Sequence, residues 1–210
     1  MEGPSPRRDA DPVERRRAVV EAGHRHDKAV VDAARDDPDP AVRAACLGAL
    51  ERLGALGVDD LATALADPAP IVRRRAAVLA ARARGTGSRS RLPSLLVEAL
   101  DDPDPIVAES AAWAIGERRP AGAVDALSAM AAAHADARCR ESAIAALGAI
   151  GAPSGLKAVL DALDDRPPVR RRAVVALAGF EGAEVEAALA RCLEDPDWQV
   201  RQAAEVLLER

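Results

Sequence analysis

The chain has 210 residues, 49% of them hydrophobic, with 34 acidic and 29 basic side chains and a formal net charge of −5. That charge argues against a protein devoted as a whole to nucleic acid, and no apolar run approaches the ~20 residues of a membrane-spanning helix. Two Trp, one Phe and no Tyr leave a core of Ala, Leu and Val, small side chains that let helices approach closely.

Residues 1–11 carry charges and prolines without an apolar stretch, which predicts a flexible N-terminus and no secretory signal. An irregular helix over 12–25 follows and is expected to cap the fold. From residue 26 the chain becomes periodic. A phrase of the form D-P-x-P-x-V-R returns at Asp37 to Arg43, Asp67 to Arg73, Asp102 to Ala108, His134 to Arg140, Asp164 to Arg170 and Asp195 to Arg201. Its valine position falls at Val42, Val72, Val107, Cys139, Val169 and Val200, spaced by 30, 35, 32, 30 and 31 residues. Such a period marks helical hairpins, none of which can bury its apolar face alone.

Position 4 after the valine is Cys46, Ala76, Ala111, Ala143, Ala173 or Ala204, and positions 7 and 8 are apolar in every repeat. Apolar residues at 0, 4, 7 and 8 form one helical face. Asp39, Asp104 and Asp136 are expected to cap these helices. Pro40, Pro70, Pro105 and Pro167 suit the first turn, and Gly54, Gly85 and Gly151 suit left-handed ends. Position 5 (Leu47, Ala77, Ala112, Ile144, Val174) and position 6 (Val78, Trp113, Ala145, Val175, Val206) are also mostly apolar, which predicts a helix wedged between like neighbours on both flanks. Shorter amphipathic stretches over 26–36, 57–66, 91–101, 121–133, 153–164 and 182–193 supply the first helix of each pair. The repeats therefore run about 26–54, 57–85, 91–119, 121–151, 153–180 and 182–210.

The phrase, extended to D-P-x-P-x-V-R-x-x-A-x-x-A-L, resembles the HEAT repeat in the short bacterial form first described in phycobilin lyase subunits. The resemblance covers about residues 26–208. It implies an all-α fold, a right-handed α-α superhelix of about six helical hairpins behind an N-terminal capping helix. It also implies a ladder in which Asp and Arg six residues apart bond from repeat to repeat. The matching positions are Asp37, Arg43, Asp67, Arg73, Asp102, Arg140, Asp164, Arg170, Asp195 and Arg201. Ala108 and His134 break the pattern on one rung, which predicts a looser or specialised junction between the third and fourth repeats.

In the family the Val-Arg helices line a concave face. Positions 2 and 3 would then carry Arg74 and Arg75, Glu109, Glu141, and Arg171 and Arg172 in bands of alternating sign, selecting a partner by charge. Trp113, beside Glu109 and Glu117, is either a binding anchor or a packing residue between repeats. Trp198 and Phe180 are expected to be structural plugs.

Residues 68–97 hold Arg73, Arg74, Arg75, Arg82, Arg84, Arg89 and Arg91 and no acid. Acids follow at once, and no aromatics alternate with the arginines to stack on bases, which disfavours nucleic acid. Gly85 to Ser88 reads as a surface insertion. His24, His26 and Asp27 have a spacing that does not share a helix face, so no metal is expected, nor any cofactor. The His-Glu pairs of iron-holding HEAT hydroxylases are absent from the sequence. Cys46, Cys139 and Cys192 form no C-x-x-C pair and suit a reducing cytoplasm. The expectation is a non-catalytic cytoplasmic scaffold or adaptor, monomeric, binding a protein or peptide in its groove. A bilin lyase-like subunit and a nucleic-acid binder using segment 73–91 are the alternatives.

Overall fold

The computed structural model describes residues 11–83 and 91–209. Among them the chain is all-α, with thirteen α-helices, short 3-10 turns and no strand. It divides between Leu95 and Leu96 into two compact units. The first holds α1 (Pro12–Arg25), α2 (Lys28–Ala33), α3 (Pro40–Arg52), α4 (Val58–Leu65) and α5 (Pro70–Ala80), and α6 (Leu92–Glu98) begins in it. The second holds α7 (Pro105–Arg118), α8 (Val124–Ala133), α9 (Ala137–Ile150), α10 (Leu156–Asp161), α11 (Pro167–Leu177), α12 (Ala183–Cys192) and α13 (Trp198–Leu208).

The helices begin where capping chemistry starts them. Asp39, Asp104, Asp136 and Asp197 each accept the N–H two residues on, at 2.8–2.9 Å. Proline occupies the first turn of α3, α5, α7 and α11, where its missing N–H costs nothing. Gly54 (φ 65°) and Gly151 (φ 66°) take the left-handed conformation past α3 and α9, while Gly85 lies outside the described residues. His26 and Arg119 adopt the same conformation after α1 and α7 without being glycine.

Within each unit the Val-Arg helices stack on one another. In the first, α3 packs against α1 and α5; in the second, α7, α9, α11 and α13 follow in order. The valine position is at most 2% exposed in all six helices, and so is position 4. Each fully buried Val or Leu contributes about 1.5–3 kcal/mol. Backbones approach where glycine faces alanine. A Cβ on Gly116 would lie 3.1 Å from Ala146 Cα, and one on Gly148 would lie 2.7 Å from Ala176 Cα. Gly23 and Ala49 repeat this arrangement in the first unit. At Gly148 and Gly23 even a methyl group would force the neighbouring helix to shift.

The two apolar flanks have different fates. Position 5 is buried in every helix but α13, where it is Glu205, with Ala77, Ala112, Ile144 and Val174 fully so. Position 6 is not wedged, contrary to the expectation from apolarity: Val175 and Val206 are about half exposed and Trp113 is 37% exposed. At 100° per residue the two positions straddle the edge of the packed face, and the stack covers only one. Trp198 is no plug either, since as the first residue of α13 it is 60% exposed. Phe180 is half-buried in the turn after α11.

Candidate partner-binding face

On α3, α9 and α11 the arginine after the valine position engages two turns. Arg43 donates from Nη1 to the carbonyl oxygens of Asp37 and Pro38, at 2.8 and 3.1 Å. Its Nε and Nη2 donate to the two carboxylate oxygens of Asp67, both at 2.8 Å. Asp67 also accepts the Ala69 N–H at 2.9 Å, so one carboxylate shapes its turn and receives the guanidinium. Arg170 binds Asp195 in the same bidentate way at 2.8 Å. Such pairs are stronger than neutral hydrogen bonds. The guanidiniums hold the carboxyls of Asp37, Asp67, Asp165 and Asp195 below the usual carboxylate range. Arg73 and Arg201 likewise reach the carbonyls of Asp67 and Asp195, at 3.0 and 2.6 Å. The Asp102 carboxylate accepts the Asp104 N–H at 2.9 Å.

Three details depart from the sequence reading. Arg15 on α1 binds Asp37 at 2.8 and 2.9 Å, so α1 carries a rung of the ladder although no phrase precedes it. Arg140 binds Asp165, at 2.6 and 2.8 Å, in place of Asp164. Asp164 is still inside a 3-10 turn (Ala162–Asp164), whereas Asp165 is extended and free to project. The junction of α7 and α9, lacking Arg and Asp, is not loose. Ser142 Oγ donates to the Glu109 carbonyl at 3.0 Å and Cys139 Sγ to that of Pro105 at 3.1 Å. His134 keeps the turn itself, its Nδ1 accepting the Asp136 N–H at 3.1 Å.

With positions 0, 4, 5 and 7 packed, the residue before the valine and positions 2, 3, 6 and 10 face outward. In the first unit α1, α3 and α5 present them as an open groove of about 510 Å³. Val20, Ala44, Gly48, Ile71 and Val78 contribute apolar lining, and Arg16, Arg52, Arg74 and Arg75 contribute four guanidiniums. Among the described residues no acid lines it, and none of the four forms an ion pair. Arg75 lies directly over Gly48, where a Cβ would be 2.5 Å from its Nη2. The irregular pattern of α1 conceals Arg16, and Arg52 falls at position 10, past the repeated apolar pattern of α3. Aligning Arg15 with Arg43 would have given Arg16 the position of Arg74.

In the second unit the same face carries Trp113, Ala145, Val175 and Val206 on four successive helices. Glu109 and Glu117 stand one turn to either side of Trp113, and Glu141 follows on α9. Arg171 lines a shallow cleft of about 340 Å³ with Val175 and Val206, and its Nη1 donates to Gln199 Oε1 at 3.0 Å. Arg172 is exposed on α11 but does not line this cleft.

A larger cleft of about 680 Å³ lies on the first helices α8 and α10, lined by Asp125, Asp161, Asp164 and Asp165. Its cation, Lys157, is bonded to Asp161 at 2.7 Å. Among the described residues no cluster of three or more His, Cys, Asp or Glu could hold a metal ion. All three cysteines are buried, and burial pushes the Cys46 and Cys139 thiols up to about 11. A thiol held protonated is a poor nucleophile. No described helix is long and apolar enough to cross a membrane.

Hairpins stacked through an Arg–Asp ladder, with one face of the second helices left open, define an α-solenoid repeat protein. A family profile for HEAT repeats matches residues 92–178 and 156–208, more than half of the chain. The chain belongs to the HEAT-repeat family. No curated protein sequence matches it. Solved structures similar in fold include the complex of CpcE and CpcF of phycocyanin lyase from Nostoc sp. PCC7120, at 22% identity over 86% of this chain and 75% of that one, TM-score 0.61. The Escherichia coli protein YibA is 17% identical over 99% of this chain and 77% of its own, TM-score 0.67. A designed armadillo repeat protein in complex with the peptide (KR)4 is 18% identical over 95% and 99%, TM-score 0.60.

Proposed function

We propose that the chain is a non-catalytic scaffold or adaptor that binds a protein or peptide along the exposed face of its Val-Arg helices. The observation that carries this reading is the uncovered apolar column at position 6, with Trp113, Val175 and Val206 accessible on helices whose valine position and position 4 are buried. Apolar stripes bordered by charge are typical of surfaces that another protein covers. The test is affinity capture from native cytoplasm with the wild type and with a variant combining Arg74→Glu, Arg75→Glu, Arg171→Glu and Arg172→Glu. Loss of the captured partner is expected. Unchanged capture would sink the reading.

The likeness to a phycocyanin lyase complex favours a second reading, a bilin lyase-like subunit acting on a protein partner. Incubation with a bilin and a phycobiliprotein tests it, and an unchanged spectrum removes it. Nucleic-acid binding through segment 73–91 has less support, because its arginines serve separate roles. Arg73 holds its own turn, Arg74 and Arg75 line the groove, and Arg91 pairs with Asp59 at 2.8 Å. Arg84 and Arg89 lie outside the described residues.

A further inference from the structure

We infer that the groove of the first unit takes an acidic peptide segment, two or more of its carboxylates meeting Arg16, Arg52, Arg74 and Arg75 while an aliphatic side chain covers the apolar lining. The inference rests on the scaffold reading and names the chemistry of the partner at one place.

Its first support is an imbalance of charge. Nearby arginines on the same helices already have carboxylate partners: Arg15 holds Asp37, Arg17 holds Glu21 and Arg43 holds Asp67. The four groove arginines have none among the described residues, and no acid lines the groove. Four like charges around one concavity repel one another, and an anion seated among them relieves that repulsion while gaining charge-assisted bonds. The arginines come from three helices: Arg16 from α1, Arg52 from α3, and Arg74 and Arg75 from α5. A ligand must therefore span the helices to meet them all, which suits an extended chain better than a single small anion.

The second support is the lining. Val20, Val78 and the alanines of α3 are aliphatic, and no aromatic side chain lines the groove. A nucleic acid would need ring faces to stack on, whereas a Leu or Val of a peptide needs only such aliphatic contact. The volume of about 510 Å³ suits a few residues, not a folded domain. The designed armadillo repeat protein similar in fold is bound to a basic peptide. Here the groove carries four guanidiniums, which suit an acidic peptide instead.

The experiment is a fluorescence-anisotropy titration of the full chain with labelled (Glu-Leu)4, compared with (Lys-Leu)4, (Ser-Leu)4 and a single-stranded oligonucleotide. The acidic peptide should bind, more weakly as salt rises, and the basic one should not. Combining Arg74→Glu with Arg75→Glu should weaken binding by about tenfold or more. Arg52→Gln should weaken it less, and Arg191→Glu on α12 should leave it unchanged, with circular dichroism reporting that each variant folds. Equal binding of (Ser-Leu)4, tighter binding of the oligonucleotide, indifference to the double substitution, or no binding of (Glu-Leu)4 would each overturn the inference. In any of these cases the scaffold reading stands if capture from cytoplasm is still lost in the fourfold variant. It falls only when that capture is unaffected.

Discussion

Arg43 and Asp67 join two consecutive repeats through parallel hydrogen bonds of 2.8 Å, with both side chains less than one-fifth exposed. The same carboxylate orders the turn before α5 through the Ala69 N–H. Removing its charge thus weakens two structures at once. Asp67→Asn should lower stability by about 2 kcal/mol, because a largely buried guanidinium loses its counter-charge. Chemical denaturation measures this, and a change below a few tenths would mean the ladder is ornamental.

The pH dependence follows from the same contact. The hydrogen bond from Arg43 is the main cause that lowers the Asp67 pKa in the folded chain, while the unfolded carboxyl titrates near ~3.9. A depressed folded pKa contributes stability that is fully present above the unfolded value and disappears as pH falls through the folded one. The stability gap between wild type and Asp67→Asn should therefore be constant from about pH 7 to 5 and narrow below about 4. A gap that widened on acidification would contradict the assignment.

Two glycine substitutions separate packing from binding. At Gly148 a new Cβ meets the backbone of Ala176, at 2.7 Å from Cα and 2.9 Å from the carbonyl oxygen, and neither can yield cheaply. Gly148→Ala should cost about 1–3 kcal/mol and lower the melting temperature. At Gly48 the Cβ meets the far end of the Arg75 side chain, which can swing away. Gly48→Ala should leave stability nearly unchanged yet weaken binding of an acidic peptide in the groove. Thermal melts and the anisotropy titration read the two effects independently.

The thiols give a fourth check. Cys46 and Cys139 are buried, each donates to a backbone carbonyl, and burial raises both pKa values to about 11. At pH 8 a thiol reagent should label the native chain slowly and the denatured chain at once. Rapid labelling of the native chain would show that the repeats open readily.

The periodic part of the fold was legible because one phrase encodes the cap, the first turn and the buried face together. Val42 and its five equivalents are buried for the reason their spacing implies. The outward side was less legible. Position 6 is apolar, and apolarity alone does not tell a packed flank from an exposed one, so the pattern places Val175 and Val206 between helices. The helix at 12–25 lacks the preceding phrase, which hid Arg15 from the ladder and Arg16 from the groove. Asp164 and Asp165 are adjacent acids, and the choice between them depends on where a 3-10 turn ends. That Arg74 and Arg75 have no carboxylate partner among the described residues depends on what surrounds them in space, which no spacing records.

The central claim, that the outward face of the Val-Arg helices is the binding surface, is tested most directly by one capture experiment with three baits. The wild type, the fourfold arginine-reversed variant and a control altered on the first helices (Asp125→Lys with Lys157→Glu) are compared for the partner retained from native cytoplasm. The account predicts retention by the wild type and the control and loss by the reversed variant. Loss by the control with retention by the reversed variant would contradict it.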